Sequence, residues 1–198
     1  MHQYYIIYKP FQVLSQFTSR EGKKTLKDFF PVPADVYPVG RLDFDSEGLL
    51  ILTNDTTFNH RLLNPRFAHD REYWVQVEGD ISPAAIRQLE SGVTISIDGK
   101  SYRTKPAKAI AMASSPRVPE RFPPIRYRAQ IPTTWIKVIL QEGKNRQVRK
   151  MTAGVGFPTL RLIRYRIQQL TIEGLGPGEM RMLDRQEIYS LLFAERNH

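Results

Sequence analysis

The most informative part of the chain is GRLDFDSEGLLILTND, which occupies residues 40–55. Its first half places three carboxylates, Asp43, Asp45 and Glu47, between two glycines. Its second half contains LLILT at residues 49–53, a continuous apolar run of strand length that ends at an Asn-Asp pair. The pattern predicts a loop rich in carboxylates, called the acidic loop below, that leads directly into a buried strand.

The carboxylates of the acidic loop are compatible with four roles. Asp43, Asp45, Glu47 and Gly48 match four positions of a calcium-binding EF-hand loop, although Asn54 stands where a bidentate Glu is needed. Two carboxylates also fit the acid and base of a glycosidase, and a single one fits a reaction at the C1′ carbon of a sugar in RNA. The fourth role is structural, because carboxylates commonly solvate and cap turns. The loop alone leaves these roles open.

Basic residues outnumber acidic ones, 29 to 20, and the formal net charge is +9. The excess lies in two segments. Residues 141–166 contain seven basic residues and one acidic residue, residues 115–132 contain four and one, and the remainder is neutral. Such a concentration of charge favours a polyanionic partner, and nucleic acid is the first to consider. A basic surface without a specific partner is the alternative.

The segment GKNRQVRKM at residues 143–151 has the character of a helix. Helical spacing places Arg146, Arg149 and Lys150 on one face, while Val148 falls on another. Cationic side chains on one face can neutralise phosphates, and each contact adds to the salt dependence of binding. No acidic residue interrupts the segment, so an anionic partner is favoured over a solvated charged face.

Composition excludes several classes of protein. The chain has no cysteine, which excludes disulfides, zinc-thiolate sites, iron–sulfur clusters and cysteine nucleophiles. Its four histidines show no metal-ligand spacing, and no apolar run approaches the ~20 residues of a membrane span. The opening sequence MHQYYIIYKP lacks the pattern of a signal peptide. We therefore expect a cytoplasmic protein without a bound metal.

Short strand-like runs outnumber helical patterns along the chain. Strands are predicted at residues 4–8, 49–53, 73–78, 135–140 and 160–170, with a hairpin at Asp98-Gly99. One or two helical turns are predicted at residues 25–30, and helices are predicted at residues 56–63, between Ser82 and Gly92, at residues 146–153, and after a capping box formed by Asp184 and Glu187. The pattern favours an α+β fold with a mixed, mainly antiparallel sheet. The proline-rich residues 112–132 are predicted to form an irregular loop.

Three motifs together resemble a known enzyme family. They are the acidic loop with its strand at residues 40–55, EGKNRQVRKM at residues 142–151, and GFPTLRLIR at residues 156–164. In this combination they are similar to the ribosomal RNA pseudouridine synthases of the small-subunit synthase A group, from the first strand to at least Arg166. The segments PPIR and IPTTW, within residues 123–135, are similar to a branch that acts on large-subunit ribosomal RNA.

The resemblance implies the pseudouridine synthase catalytic fold, with flanking helices and a central cleft that binds RNA. It implies one catalytic domain over residues 1–198, built from two sub-lobes that share a continuous sheet. Members of the group usually carry a small N-terminal RNA-binding domain of the S4 type. Because sequence of the catalytic type, YYIIYKP, begins almost at Met1, we expect that domain to be absent. The expected partner is ribosomal RNA, as a stem-loop or an assembling particle, bound by a monomer.

The family pattern also implies roles for individual residues. Asp43 matches the catalytic aspartate, and Arg41 matches the arginine that contacts RNA and occupies the space left by the flipped nucleotide. Tyr73 matches the active-site tyrosine that stacks on the target uracil, and it is a catalytic candidate together with Asp43 and Arg149. Arg149 matches the basic residue that pairs with the aspartate, and Leu160 matches an apolar residue of the uracil pocket. The other substrate-binding candidates are basic side chains of the two positive segments: Lys144, Arg146, Lys150, Arg126 and Arg128.

The implied reaction breaks the C1′–N1 bond of uridine, turns the base and joins C1′ to C5. Because the product is an isomer of the substrate, no cofactor is expected. The family commonly has Lys two residues before the tyrosine, and Arg71 keeps the charge but changes the hydrogen-bonding geometry. Two other functions stay open. A noncatalytic ribosomal RNA-binding or assembly protein needs the basic segments but not Asp43, and a carboxylate-dependent hydrolase of nucleosides or glycans needs a second acid.

Overall fold

The computed structural model describes residues 1–19, 21–125 and 130–194. The chain forms two compact units, the first made of Met1–His69 with Arg164–His198 and the second of Asp70–Ile163. The acidic loop belongs to the first unit, and the basic segment around Arg149 belongs to the second. Arg126 and Arg128, both predicted to bind RNA, lie outside the described residues.

Within the described ranges, strands and helices alternate irregularly along the chain. The strands are β1 (Tyr4–Lys9), β2 (Tyr37–Pro38), β3 (Glu47–Thr53), β4 (Arg71–Glu78), β5 (Thr94–Ile97), β6 (Lys100–Arg103), β7 (Lys108–Ala111), β8 (Thr133–Leu140), β9 (Thr159–Ile167), β10 (Leu170–Thr171) and β11 (Met180–Leu183). The α-helices are α1 (Thr56–Leu63), α2 (Pro83–Ser91), α3 (Gln147–Gly154) and α4 (Arg185–Phe193), and 3₁₀ turns span Leu26–Asp28 and Pro65–Phe67. This is the α+β class predicted from the sequence.

Two fully buried strands form the centre of the first unit. Strand β1 pairs antiparallel with β11 on one side and with β3 on the other, and the C-terminal part of β9 follows next to β3. Every residue of β1 and β3 is buried, which agrees with the apolar runs YYIIY and LLIL that make up most of the two strands. On one face, Ile7 and Leu50 share a hydrophobic core with Leu26 and Phe30.

The opposite face of β1 carries an aromatic cluster that includes α1 and α4. The ring of Tyr4 lies 5.3 Å from that of Phe58 and 6.2 Å from that of Tyr189, between centroids. Asp55 accepts a hydrogen bond from Phe58 N at 3.0 Å and caps α1. It also accepts from the hydroxyls of Tyr4 at 2.6 Å and Tyr189 at 3.2 Å. One carboxylate therefore starts α1 and ties it to both neighbours, and α1 has the predicted bounds.

In the second unit, β8 lies between β4 and β7, and the N-terminal part of β9 lies on the other side of β4. Tyr73, Val75 and Val77 are buried along one face of β4, as the alternating sequence predicts. They share a hydrophobic core with Leu89 of α2 and Met151 of α3. Two helices therefore support the sheet face that carries Tyr73.

Local capping and turn signals are confirmed in the second unit. The hydroxyl oxygen of Ser82 accepts a hydrogen bond from Ala85 N at 3.2 Å, and Pro83 is the first residue of α2. Asp98 and Gly99 have φ values of 50° and 77°, which the tight turn of the β5–β6 hairpin requires. Both features were predicted from a few residues, because they depend on local geometry alone.

Three parts of the secondary structure differ from the prediction. Helix α3 begins at Gln147, because Arg146 has a left-handed backbone with φ 52°, so Arg146 does not share a helical face with Arg149. The predicted strand at residues 160–170 is divided, since Gln168 has φ 51° and the chain turns back to pair β10 with β9. The sequence does not predict β2, β7 or β11, because two to four residues carry no clear pattern.

Candidate active site

The acidic loop of the first unit connects β2 to β3 as a defined turn. Near its start, Val39 N donates a hydrogen bond to Ile51 O at 2.8 Å, and further along Ser46 N donates to Asp43 O at 3.0 Å. Asp43 is therefore the first residue of a turn. The side chain of Arg41 is exposed and that of Asp43 is half-buried, so both are at least partly in contact with solvent.

Hydrogen bonds fix the residues on both sides of Asp43. Ser15 Oγ accepts from Leu42 N at 3.0 Å and donates to Leu42 O at 2.8 Å. On the other side, Gln12 N donates to Phe44 O at 2.8 Å. The chain that follows β1 therefore clamps the backbone before and after Asp43. Such support by neighbouring groups is what a precisely placed catalytic side chain requires.

A buried lysine binds backbone carbonyls of the segment that provides this clamp. Lys9 ends β1 and is fully buried, and its Nζ donates to Pro10 O at 2.8 Å and to Val13 O at 2.7 Å. Burial lowers the pKa of Lys9 to about 7, while the carboxylates of the acidic loop, Glu47 foremost, act in the opposite direction. The charge of the acidic loop therefore helps to keep this buried ammonium group protonated.

Strand β3 approaches β9 closely at the end of the acidic loop. Gly48 has φ +105°, and a Cβ at this position would lie 2.4 Å from Arg164 O and 2.8 Å from Arg164 N. Arg164 is 6% exposed, and its Nε donates to Leu49 O at 2.8 Å. Glycine is required here both by the backbone conformation and by the close approach of the second strand.

The burial of two arginines corrects the expectation for the basic segment 141–166. Arg164 belongs to the scaffold beside the acidic loop. In the second unit, Arg161 is 5% exposed, and its Nη2 donates to Pro119 O at 2.8 Å. Both guanidinium groups bind backbone carbonyls of the protein itself, so the net charge of the segment overstates the charge that faces an external anion.

Residues 142–146, called the basic loop below, lead into α3 and are held in place by a carboxylate. Glu142 accepts hydrogen bonds from Tyr102 OH at 2.7 Å, Lys105 N at 2.8 Å and Gln147 Nε2 at 2.6 Å. Gln147 is buried, and its Oε1 accepts from Lys144 N at 2.9 Å. The hydrogen bond to Glu142 is the main cause of a raised pKa of Tyr102. The basic loop is therefore tied at both ends.

Four cationic candidates lie on this basic loop and on the first turn of α3. Lys144 and Arg146 are exposed, and Lys144 Nζ lies 4.9 Å from the ring centroid of Tyr102. Arg149 and Lys150 follow in the helix and are half-buried. Cations at a helix N-terminus oppose the helix dipole, so the helix itself does not favour this arrangement. An anionic ligand would offset that repulsion.

The aromatic and apolar candidates lie on strands of the second unit. Tyr73 pairs with Val138 in the β4–β8 register, and its side chain is 9% exposed. Leu160 is the half-buried second residue of β9, and its carbonyl accepts from Arg121 Nη1 at 3.3 Å. Arg71, which departs from the family pattern, is the half-buried first residue of β4. Tyr73 thus combines a firmly packed ring with a small accessible area.

The predicted site residues are divided between the two units. Arg41 and Asp43 lie two residues apart on one loop of the first unit. Tyr73 and Leu160 lie on β4 and β9 of the second unit, and Arg149 lies on α3 among the other cations. The pairing of Arg149 with Asp43 stays a prediction.

Sequence reasoning missed the residues that hold these candidates in place. Lys9 ends an otherwise apolar strand, and Glu142 is the single acidic residue of a positive segment. Each differs in charge from the residues around it, and this difference was a signal of a special role. Ser15 and Gln12 offered no comparable signal, because they lie in a polar stretch without a pattern. Gln147 was not singled out, because it lies between Arg146 and Arg149, whose charges dominated the interpretation of this segment.

Comparison with known proteins identifies the class of enzyme. The model of the family described as RNA pseudouridylate synthase matches residues 3–154, well over half of the chain. The match includes the acidic loop, Tyr73 and α3. The chain therefore belongs to the RNA pseudouridylate synthase family and is a pseudouridine synthase.

Individual relatives agree with the family match. The chain is 49% identical over 174 residues to ribosomal large subunit pseudouridine synthase E of Vibrio vulnificus, which covers 88% of this chain and 72% of the relative. It is 44% identical over 185 residues to the protein of the same name in Xanthomonas campestris pv. campestris, and the match covers 92% of this chain and 96% of the relative. A solved structure described as a pseudouridylate synthase is 26% identical, with a TM-score of 0.78 and coverage of 97% and 74%.

These findings confirm the fold class, the family and the resemblance to the large-subunit branch that the sequence motifs suggested. The sequence that carried the resemblance, EGKNRQVRKM at residues 142–151, turns out to contain both ends of the hydrogen-bonded loop before α3. In the described part of the chain, no helix is long and apolar enough to cross a membrane.

Proposed function

We propose that this chain isomerises uridine to pseudouridine at a defined site in large-subunit ribosomal RNA. Relatives named ribosomal large subunit pseudouridine synthase E, similar over about nine-tenths of the chain, support the substrate. The structural observation that carries the proposal is the clamp on Asp43, whose neighbours Leu42 and Phe44 are both held by hydrogen bonds. A carboxylate fixed in this way suits a reaction at one sugar carbon.

Asp43 is the proposed catalytic residue. The reaction breaks the C1′–N1 bond and forms a C1′–C5 bond, while C5 loses a proton and N1 gains one. Asp43 acts either as a nucleophile at C1′ or as a base on the sugar, and both routes need an ionised carboxylate beside the reacting carbon. Its half-buried position keeps it partly in contact with solvent.

Arg149 is the proposed partner of Asp43. When RNA covers the site, loss of water favours the protonated carboxyl group, and a nearby guanidinium group favours the ionised one. A buried carboxylate without such a partner would be strongly destabilised. The half-buried position of Arg149 at the start of α3 suits a cation that is held by the protein and meets the substrate.

Tyr73 and Leu160 are proposed to bind the target base. The uridine must leave its stack before C1′ becomes accessible, which costs roughly a few kcal/mol. Stacking of the base on an aromatic ring returns about 1–3 kcal/mol of this. The packed ring of Tyr73 offers a rigid surface for that contact, and Leu160 contributes an apolar wall.

The cations are proposed to bind the RNA backbone and to recognise the shape of a stem-loop more than its sequence. Arg41 occupies the place of the flipped nucleotide, and further contacts come from the two positive segments: Lys144, Arg146, Lys150, Arg126 and Arg128. We propose that the enzyme acts as a monomer in the cytoplasm, where ribosomal RNA is made and modified.

The test compares the wild type with Asp43→Asn and Asp45→Asn on a large-subunit ribosomal RNA transcript and on assembling particles. Both variants replace one carboxylate of the same loop by an amide, so Asp45→Asn is the matched control. We expect pseudouridine from the wild type and the control, and none from Asp43→Asn, which still binds RNA. Absence of pseudouridine with the wild type on both substrates would refute the proposal. Release of free uracil would identify a hydrolase.

A further inference from the structure

The first unit contains a second cationic surface that the residues discussed so far do not include. Parts of residues 17–28 surround a concave pocket of about 370 Å³. Its lining residues include three lysines, Lys23, Lys24 and Lys27, and the hydroxyl residues Thr18 and Ser19, beside Phe17, Gly22, Thr25 and Asp28. Counting charges along the sequence does not reveal this lysine pocket, because acidic residues elsewhere in the same neutral part of the chain balance the charge of its lysines.

The backbone around the lysine pocket is fixed by hydrogen bonds. Leu14 N donates to Lys24 O at 2.9 Å, and Leu26 N donates to Gln16 O at 2.9 Å. Leu26 is fully buried in the core of the first unit. The backbone that carries the three lysines is therefore ordered without a ligand, so ligand binding does not have to order it.

The lysine pocket is predominantly positive. Among its described lining residues the only carboxylate is Asp28, which accepts hydrogen bonds from Thr25 N at 2.7 Å and Thr25 Oγ1 at 3.1 Å. These bonds lower the pKa of Asp28 and engage it locally. Lys23 also contacts Glu21 at 2.7 Å, but both side chains are exposed, and such pairs are weak and easily exchanged for another anion.

The lysine pocket lies beside the acidic loop within the same unit. Lys23 Nζ is 5.8 Å from the ring centroid of Phe44, the residue directly after Asp43. Ser15, which holds Leu42, precedes the pocket in the chain by a few residues. A nucleotide placed at Asp43 would therefore leave adjacent parts of its strand close to the lysines.

We propose that the lysine pocket binds phosphates of the RNA strand that flank the target nucleotide. This inference rests on the proposed function, because that function brings RNA to Asp43. Lysine ammonium groups and threonine or serine hydroxyls are donors that phosphate oxygens accept. Phosphates are common to all sequences, so the pocket contributes affinity and placement of the strand, and base discrimination comes from elsewhere.

The test replaces Lys23, Lys24 and Lys27 together by Gln and measures binding of the ribosomal RNA transcript over a range of salt concentrations. We expect binding to weaken roughly tenfold and the salt slope to fall by about two units, since each lost phosphate contact removes about 0.7–0.9 units. Replacement of the same residues by Arg keeps the charge and is expected to preserve both values. Thermal unfolding checks that each variant is folded.

The matched control replaces three exposed cations of the second unit, Arg87, Lys100 and Lys108, by Gln. It removes the same total charge and is expected to change binding much less. Wild-type affinity and slope in the triple Gln variant, or an equal loss in the control, would overturn the inference. Pseudouridine formation by the wild type is scored separately and tests the proposed function. The binding data decide on the lysine pocket whether or not pseudouridine forms.

Discussion

Ser15 binds both backbone groups of Leu42, accepting from its N at 3.0 Å and donating to its O at 2.8 Å. One hydroxyl thereby satisfies the donor and the acceptor of the residue directly before Asp43. Leu42 is buried, so its backbone groups need partners from the protein. Ser15 is therefore a positioning residue for the acidic loop.

Replacement of Ser15 by Ala is expected to lower kcat for pseudouridine formation roughly 10- to 100-fold, because small displacements of a catalytic group are costly. The KM for RNA is expected to change little, since Ser15 acts through the backbone of Leu42 and is not among the proposed RNA contacts. Ser15→Thr retains the hydroxyl and is expected to restore most of the activity. Single-turnover measurements with saturating enzyme would report the chemical step.

The control for this prediction is Ser190→Ala. It removes a hydroxyl from α4 in the same unit, where Ser190 Oγ donates to Glu187 O. This variant is expected to react at the wild-type rate. A wild-type kcat in Ser15→Ala, or equal losses for Ala and Thr at position 15, would show that the hydroxyl does not position the loop.

Lys9 gives the stability of the protein a specific pH dependence. Its pKa is about 7 in the folded chain, compared with about 10.4 for an unperturbed lysine. Between these values the unfolded state binds more protons than the folded state, so stability rises with pH, by up to about 1.4 kcal/mol per pH unit. Urea unfolding at several pH values from 7 to 10 is expected to show this rise in the wild type and its loss in Lys9→Met.

The informative quantity is the difference in slope between the wild type and Lys9→Met, because other titrating groups cancel in it. Lys100→Met, at an exposed position, is expected to retain the wild-type slope. Parallel pH curves for the wild type and Lys9→Met would mean that Lys9 titrates at the same pH in the folded and unfolded states.

Much of the fold could be predicted because its signals are local. The helical pattern of residues 56–63, which ends before Asn64-Pro65, predicted α1 with the bounds that the structure shows. The alternation along residues 73–78 likewise predicted which face of β4 is buried. In both cases the deciding interactions lie within one or two turns of the chain.

The supports of the site could not be predicted in this way. Ser15 and Leu42 are 27 residues apart, and their contact depends on how the segments fold together. Arg146 has a left-handed backbone in the loop that Glu142 and Gln147 hold together by a hydrogen bond. Neither an arginine nor a glutamate by itself indicates such a conformation. Arg164 was counted as surface charge, although it binds a carbonyl inside the first unit.

Glu142 is expected to be required for the order of the basic loop. Its carboxylate accepts hydrogen bonds from Tyr102 at Oε2 and from Lys105 and Gln147 at Oε1, and an amide in its place can accept at only one of these two positions. Glu142→Gln is therefore expected to destabilise the protein by about 1–3 kcal/mol in urea unfolding. It is also expected to weaken RNA binding, because Lys144 loses its fixed position.

The control is Glu90→Gln, which changes an exposed carboxylate of α2 in the same unit. It is expected to leave stability within about 0.5 kcal/mol of the wild type. Equal stability of Glu142→Gln and the wild type would show that the amide is accommodated by rearranged hydrogen bonds. In that case RNA binding should be unchanged as well.

Gly48 is expected to be among the positions least tolerant of substitution. An added Cβ would lie 2.4 Å from the backbone oxygen of Arg164, and a strand backbone cannot move away as a flexible side chain can. Gly48→Ala is therefore expected to lower the free energy of unfolding by about 3 kcal/mol or more. Because β3 continues from the acidic loop, activity is expected to fall as well.

The control for this prediction is Gly99→Ala, which introduces strain from a positive φ without the close contact that an added Cβ makes at Gly48. Gly99 has φ +77° in the β5–β6 turn, but no described atom outside its chain neighbours lies within 4 Å of the position that an added Cβ would take. Only conformational strain of about 1–2 kcal/mol is therefore expected. The additional loss in Gly48→Ala then reflects the close approach of β9 to β3 together with the less favourable φ of +105° at Gly48. Equal losses in the two variants would show that the backbone at Gly48 relaxes around the methyl group, and that the start of β3 is less rigid than its contacts indicate.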